Sequence, residues 1–228
     1  MNSLLLSIFF LFALPDQSFR WVSFDMTKRS AQDGKMTRVD ARIAYKTSGE
    51  MVTHFQKPMD VYILNNSLGD VQVYNAKKNE LVRTLDNRMG SQNTTFFYLF
   101  LGNTGDLGLE ADGFTLRNSR VEDMMLISEY NPPKDSKNQI EYAELVSNGE
   151  HPVFTGYIAE SGEYLKKVYY YNYENVGGTD FPMSITEVDF AEGDSVITKT
   201  TFSNFGFDDP EDKALADFQV PTNATLLK

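Results

Sequence analysis

Between residues 36 and 85 apolar and polar positions alternate, the period of a half-buried β-strand. Val39, Ala41, Ile43 and Tyr45 share one face, and Asp40, Arg42 and Lys46 the other. Met51 to Gln56, Val61 to Leu64, Val71 to Tyr74 and Glu80 to Leu85 follow at hairpin spacing. Asn65-Asn66-Ser67-Leu68-Gly69 and Ala76-Lys77-Lys78-Asn79 supply turn chemistry between them. Phe19 to Met26 is expected to pair with Met36 to Lys46, turning at Gln32-Asp33-Gly34. The pattern then breaks. Ser91 stands as a candidate N-cap and Gly102 as a stop around a run that includes Thr95-Phe96-Phe97-Tyr98-Leu99-Phe100-Leu101. A short, very apolar helix is the favoured reading, and a buried strand the competing one. Alternation resumes in Gly113–Asn118, Val121–Tyr130, Gln139–Ser147, Pro152–Ala159, Tyr164–Tyr173, Met183–Phe190 and Ser195–Phe205. Asp208 to Phe218 reads as a short helix or turn. No internal repeat or low-complexity linker divides the chain, so the expected fold is all-β with a minor helix.

The first residues stand apart. Leu4 to Leu14 is an uncharged apolar run, suited to the h-region of a signal peptide and too short to span a bilayer comfortably. No Lys or Arg precedes it, and no A-x-A cleavage site follows; a start site set too far downstream accounts for the first departure. Residues 1–18 are therefore read as a signal peptide and 19–228 as a single domain, the competing reading being a buried segment of the fold. The rest of the chain has no run long enough for a transmembrane helix. The cysteine of a lipid-anchored leader is absent.

Charge and composition narrow the function. The 228 residues carry 21 Lys+Arg against 32 Asp+Glu, a net charge of −11. Such a balance argues against nucleic acid, whose binding requires a positive surface, and against a polybasic membrane anchor. With no cysteine there are no disulfides, thiolate metal sites or cysteine nucleophiles. Of the two histidines, His54 lies in a strand and His151 in a turn, neither at ligand spacing from a second histidine or an acidic partner. No Gly-rich phosphate loop, HExxH or GxSxG is present. The acidic pairs Glu110/Asp112, Glu122/Asp123, Asp208/Asp209 and Glu211/Asp212 fall in turns or at strand ends, where solubility and capping account for them. The expectation is a protein with no catalytic residue, metal or cofactor. The tyrosine-rich Tyr164–Tyr173 reads either as a sheet strand with a wet face or as the wall of an apolar cavity, the first being preferred for any single tyrosine.

Residues 41–81, ARIAYKTSGEMVTHFQKPMDVYILNNSLGDVQVYNAKKNEL, resemble the periplasmic outer-membrane lipoprotein carrier family, LolA-like proteins. Lys46, Pro58, Gly69, Val71 and Tyr74-Asn75 stand where that family has a strand-ending Lys, a Pro, a turn Gly and an aromatic corner. Thr95 to Phe100 matches its apolar helix loosely, and Thr201-Phe202-Ser203-Asn204, Asp217-Phe218, Val220-Pro221 and Ala224 match its closing strand and tail. Where the family has Arg-Pro, whose Arg latches the lid, this chain has Thr47-Ser48, and Phe19 to Asp40 does not read as the family's first helix.

The resemblance implies one strongly curved antiparallel sheet of ten or eleven strands, an incomplete β-barrel with a short helical lid or plug. It further implies a soluble, monomeric periplasmic carrier that binds acylated lipoprotein or a related lipid, with an inner-membrane release complex and an outer-membrane acceptor as partners. A non-transporting lipid-sensing or protein-interaction module on the same fold is the alternative. The physics agrees: exposing a dozen methylenes to water costs on the order of 10 kcal/mol, so a shuttle needs a dry cavity. The ligand-lining candidates are Ile43, Tyr45, Met51, Phe55, Val61, Ile63, Phe96, Phe97, Leu99 and Phe100.

Overall fold

The computed structural model describes residues 19–86, 90–134, 140–149, 151–191 and 194–227. The segment read as a signal peptide, residues 1–18, lies outside them. The described residues form fourteen strands: β1 Trp21–Gln32, β2 Lys35–Lys46, β3 Met51–Lys57, β4 Val61–Asn65, β5 Asp70–Asn75, β6 Glu80–Leu85, β7 Thr115–Glu122, β8 Met125–Asn131, β9 Ile140–Ser147, β10 Pro152–Ala159, β11 Tyr164–Val176, β12 Thr179–Ala191, β13 Asp194–Phe207 and β14 Thr225–Leu226. Two short helices accompany them, α1 Thr95–Phe100 and α2 Lys213–Ala216.

All strands join one sheet, in the order β14-β6-β5-β4-β3-β2-β1-β13-β12-β11-β10-β9-β8-β7. The chain starts in the middle of this sheet, builds outward to β6, crosses to the far edge at β7 and returns by hairpins to pair β13 with β1. The sheet is curved and its end strands do not meet, so the barrel stays open. The fourteen strands exceed the expected ten or eleven, and two local features depart from the sequence reading. The segment expected as one strand across Val121–Tyr130 turns at Asp123 and Met124, both at positive φ (48° and 65°), without the glycine that marks such turns. The tail adds β14, a two-residue pairing parallel to β6 and the exception to an otherwise antiparallel sheet. Elsewhere the turn chemistry holds: Asp33 and Gly34, at φ 50° and 71°, close the β1–β2 hairpin with Gln32 opposite Lys35.

Alternation divides the side chains between two faces. Val22 and Phe24 of β1, Ile43 and Tyr45 of β2, Tyr170 of β11, Phe181 and Ile185 of β12 and Phe202 of β13 meet on the concave side, where the core lies. The opposite face differs across its width. Over the Trp21–Asp25 end of β1 and the Arg42–Lys46 end of β2 it is covered by residues 208–217, with Trp21, Ala44, Leu215 and Ala216 packed together, and the hairpin end of these strands is left bare. Over β11–β13 the convex positions are Lys167, Tyr169 and Tyr171, then Thr186, Val188 and Phe190, then Ser195, Ile197 and Lys199, none of them acidic.

Candidate functional site

The concave face is closed by α1. Thr94 caps it: its side chain accepts from the Phe97 N–H at 3.2 Å, with the residue itself in an extended conformation. Ser91, the N-cap read from sequence, instead opens a single 3₁₀ turn, Ser91–Asn93, and its buried hydroxyl donates to the Gly49 carbonyl. The helix ends as expected at Gly102, φ 68°, where the Gly102 and Asn103 N–H groups bond back to Leu99 and Tyr98 carbonyls at 3.2 and 2.9 Å.

A six-residue helix has little stability of its own and is held by what it buries. Leu99 and Phe100 are fully covered, each stabilising the fold by roughly 1.5–3 kcal/mol. Phe96 stacks on Phe24 (4.5 Å between centroids) and on Phe100 (5.3 Å), and meets Phe181 edge-on at 5.5 Å. Residues 101–114 continue the cover: Gly108, φ 85°, sits so close that a Cβ there would lie 2.2 Å from the Tyr98 ring. Leu109 packs with Tyr130, Ala143 and Leu145 on the outer strands.

Beneath the N-terminal end of α1 lies a concave cavity of about 250 Å³, walled by Thr95 and Phe96, Tyr157 of β10, Lys166, Val168 and Tyr170 of β11, Ile185 and Glu187 of β12, and Thr200 and Phe202 of β13. The larger space, about 340 Å³, is a groove on the other side, between Val52, Leu64 and Gln72 of the sheet and Ala216 to Gln219 of the tail.

The concave cavity is apolar towards α1 and polar away from it. Lys166 pairs with Glu187 at 2.6 Å and Asp189 at 3.5 Å, and Lys28 approaches Glu187 at 4.0 Å. Burial pulls the Lys166 ammonium down, but Glu187 and Asp189 outweigh it and hold its pKa above the ordinary value. The Tyr170 hydroxyl lies 3.3 Å from that of Thr155, and burial pushes its pKa well above the usual phenol range. Lys166 and Glu187 neutralise each other's charge across the polar end of the cavity. Among the described residues no group of three or more His, Asp or Glu has metal-holding geometry.

The ten residues expected to line a cavity divide. Register puts Ile43, Tyr45, Met51, Phe55, Val61 and Ile63 on one face, as the alternation predicts. Ile43, Tyr45, Leu99 and Phe100 are buried core, with Met51, Phe96 and Phe97 packed against it. Phe55, Val61 and Ile63 are half-buried, farther out on the sheet. Of the ten, Phe96 alone borders the concave cavity, and Met51 borders the groove behind the sheet. The walls that sequence reading missed lie in β10–β13. Their signal was present in Tyr164–Tyr173, where alternation sets Lys166, Val168 and Tyr170 inward and Tyr169 and Tyr171 outward. His54 lies on the convex side, 2.9 Å from Asp60 and stacked on Tyr62 at 4.0 Å.

The opposite side of the sheet carries a latch. Asp208 accepts from the Arg20 and Trp21 backbone N–H groups at 3.0 and 3.2 Å. Arg42 donates to Asp212 (Nε to Oδ1, 3.1 Å), to Asp25 at 3.2 Å and to the Asn204 carbonyl at 2.8 Å. Lys46 donates to Asp217 at 3.0 Å, and Phe218 stacks on Tyr62 at 4.0 Å. The Asn79 amide donates to the Asn223 carbonyl at 3.0 Å, just before β14 joins β6.

This architecture is LolA-like. A LolA-superfamily protein from Nitrosomonas europaea superposes with a TM-score of 0.57 at 16% identity, over 87% of this chain and 90% of that one. A DUF1329 family protein from Desulfovibrio piger gives 0.58 at 13% identity, over 88% and 90%. An outer membrane lipoprotein-sorting protein domain from Vibrio parahaemolyticus gives 0.57 at 13% identity, over 86% and 90%. No family model and no curated protein matches the sequence. Among the described residues no helix is long and apolar enough to cross a membrane.

Proposed function

We propose that the protein is a periplasmic carrier that shields the acyl chains of a lipoprotein, or of a related lipid, between α1 and the concave face for transfer towards the outer membrane. It acts as a monomer after loss of residues 1–18, taking its cargo from an inner-membrane release complex and yielding it to an outer-membrane acceptor. The observation that carries this reading is α1 itself: a helix with phenylalanines at 96, 97 and 100, held by apolar contacts to the hollow of an open sheet, with a cavity at its N-terminal end. No ion pair crosses from α1 to the sheet among the described residues, so the cover is fastened by non-directional contacts that an acyl chain can replace in kind.

Size sets the next condition. Pockets that enclose small ligands run to about 300–1,000 Å³, and the concave cavity, at about 250 Å³, is below that range. Cargo therefore enters as α1 lifts, and the aromatic contacts under the helix pass to the chain. Phe97, half-buried beside Tyr45 and Tyr98, is the position at which to test this. Phe97→Asp should weaken capture of an acylated peptide at least about tenfold, equivalent to roughly 1.4 kcal/mol, while circular dichroism stays that of the folded protein. Unchanged capture by the folded variant removes α1 from the binding site. Protein recovered from a periplasmic fraction without acyl chains by mass spectrometry would favour an interaction module on the same fold.

A further inference from the structure

The bare half of the convex face is chemically unlike the rest of this acidic chain. Arg29 of β1 stands directly between Arg38 of β2 and Lys199 of β13 in the ladder. Like charges opposite one another on adjacent strands destabilise a sheet. Arg38 offsets its charge on Asp40 at 2.8 Å, and Lys199 lies over the Tyr171 ring at 5.4 Å. Arg29 has no carboxylate partner among the described residues. Two strands farther, on β11, Lys167 sits over Tyr164 at 4.2 Å and Phe190 at 5.6 Å. The acidic residues of β12, Glu187 and Asp189, point to the concave side, so this face is cationic in a chain of net charge −11.

The same face exposes apolar side chains. Met36 is 77% exposed, Ile197 47%, and Phe190 and Tyr169 40% each. Cations on long stems interleaved with aromatic, Met and Ile side chains on an open face are the composition of an interfacial anchor, rings at the headgroup level and charges on the phosphates.

We infer that the convex face of β1, β2 and β11–β13 docks on an anionic lipid surface, through Arg29, Arg38, Lys167 and Lys199. The inference is independent of what occupies the concave side. Local attraction survives the net negative charge because screening limits each charge to about 8–10 Å at ordinary ionic strength.

The test is sedimentation of the protein with vesicles of phosphatidylcholine alone and of phosphatidylcholine mixed with phosphatidylglycerol, at about 0.1 M and about 1 M salt. Binding is expected to the mixed vesicles at low salt and to be lost at high salt. Arg29→Gln/Lys199→Gln should weaken it about 25-fold, at about fivefold for each cation removed. Lys77→Gln/Lys78→Gln, with the same change in net charge, should leave it unchanged. Equal weakening by both pairs, equal binding to neutral vesicles, or no loss in the Arg29/Lys199 variant overturns the inference. So does capture of an acidic peptide by a protein that leaves the vesicles free. Phe97→Asp separates this surface from the carrier reading: it should abolish cargo capture and leave vesicle binding intact.

Discussion

The sheet is covered on both sides, and the two covers are fastened by different chemistry. On the concave side α1 is held by rings and leucines, with Phe96, Leu99 and Phe100 seated among Phe24, Phe181 and Phe202. On the convex side residues 208–227 are held by directional bonds: Asp208 to backbone amides, Asp212 to Arg42, Asp217 to Lys46, and a short parallel strand. Apolar contact is strong in sum but nearly indifferent to what supplies it. Charge-assisted hydrogen bonds are strong only in one geometry. A cover meant to be exchanged for a ligand suits the first kind, and a brace that keeps the sheet's curvature suits the second. Residues 47–48 are Thr-Ser, and Arg42 fastens the back of the sheet rather than α1.

The largest expected effect is on the aromatic side. Phe181 is fully buried, with ring partners at Phe202 (5.2 Å), Phe96 (5.5 Å) and Phe205 (5.5 Å). Phe181→Ala should lower global stability by about 3–5 kcal/mol, read as a fall in urea midpoint at unchanged slope. A loss under about 1 kcal/mol would mean that the space beneath α1 collapses easily, and that the two covers differ less than their chemistry implies.

Next comes the brace. Arg42 and Asp212 keep only 17% and 16% of their side-chain surface exposed, and Arg42→Met leaves Asp212 without its partner. A loss of about 2–3 kcal/mol is expected, below that of a fully buried pair because some water still reaches both groups. Tryptic cleavage at Lys213 should rise in this variant while cargo capture stays within about twofold, as the brace lies across the sheet from the cavity. Equal loss of capture would join the two covers into one device.

The strands were legible because each buries one face, and period two survives wherever that is so. Val39 to Tyr45 and Tyr164 to Tyr173 show it plainly. The turn at Asp123-Met124 was not legible, because neither residue carries the usual glycine signal and Asp tolerates positive φ by local bonding. The N-cap was misplaced by one turn because Ser91 and Thr94 both suit it, and what separates them is the bond from Ser91 to Gly49, forty-two residues away. The walls of the described concave cavity were hidden for the same kind of reason. Alternation placed Ile43 to Ile63 on the correct face, but which strands leave space beneath α1 depends on the meeting of β1 with β13 and on residues 101–114, relations between distant segments. The brace was equally hidden: Arg42 and Asp212 stand 170 residues apart, each ordinary in its own neighbourhood.

The smallest effect is expected from acid. The Arg42 guanidinium beside Asp212, helped by the Ser23 hydroxyl and opposed by burial, holds its carboxyl below the ordinary carboxylate value. The folded pKa is depressed, so the unfolded chain takes up the proton first as pH falls. The stabilising contribution is therefore complete above the unfolded value near 3.8 and disappears as pH drops through the lowered folded value. Asp112 and Glu144 act in the other sense, since burial raises both. A bare acid titration mixes these contributions, and the informative quantity is the stability difference between the wild type and Asp212→Asn. That difference should be constant from neutrality down to about pH 5 and shrink below about pH 4, measured by urea midpoints at each pH. Over the same range the difference in capture of the acylated peptide between the two proteins should not track it, because Asp212 bonds Arg42 and Ser23 across the sheet from α1. A difference that persists undiminished at the lowest pH would assign Asp212 a packing role in place of a charged one, and the back of the sheet would then be held by the same non-directional contacts as the front.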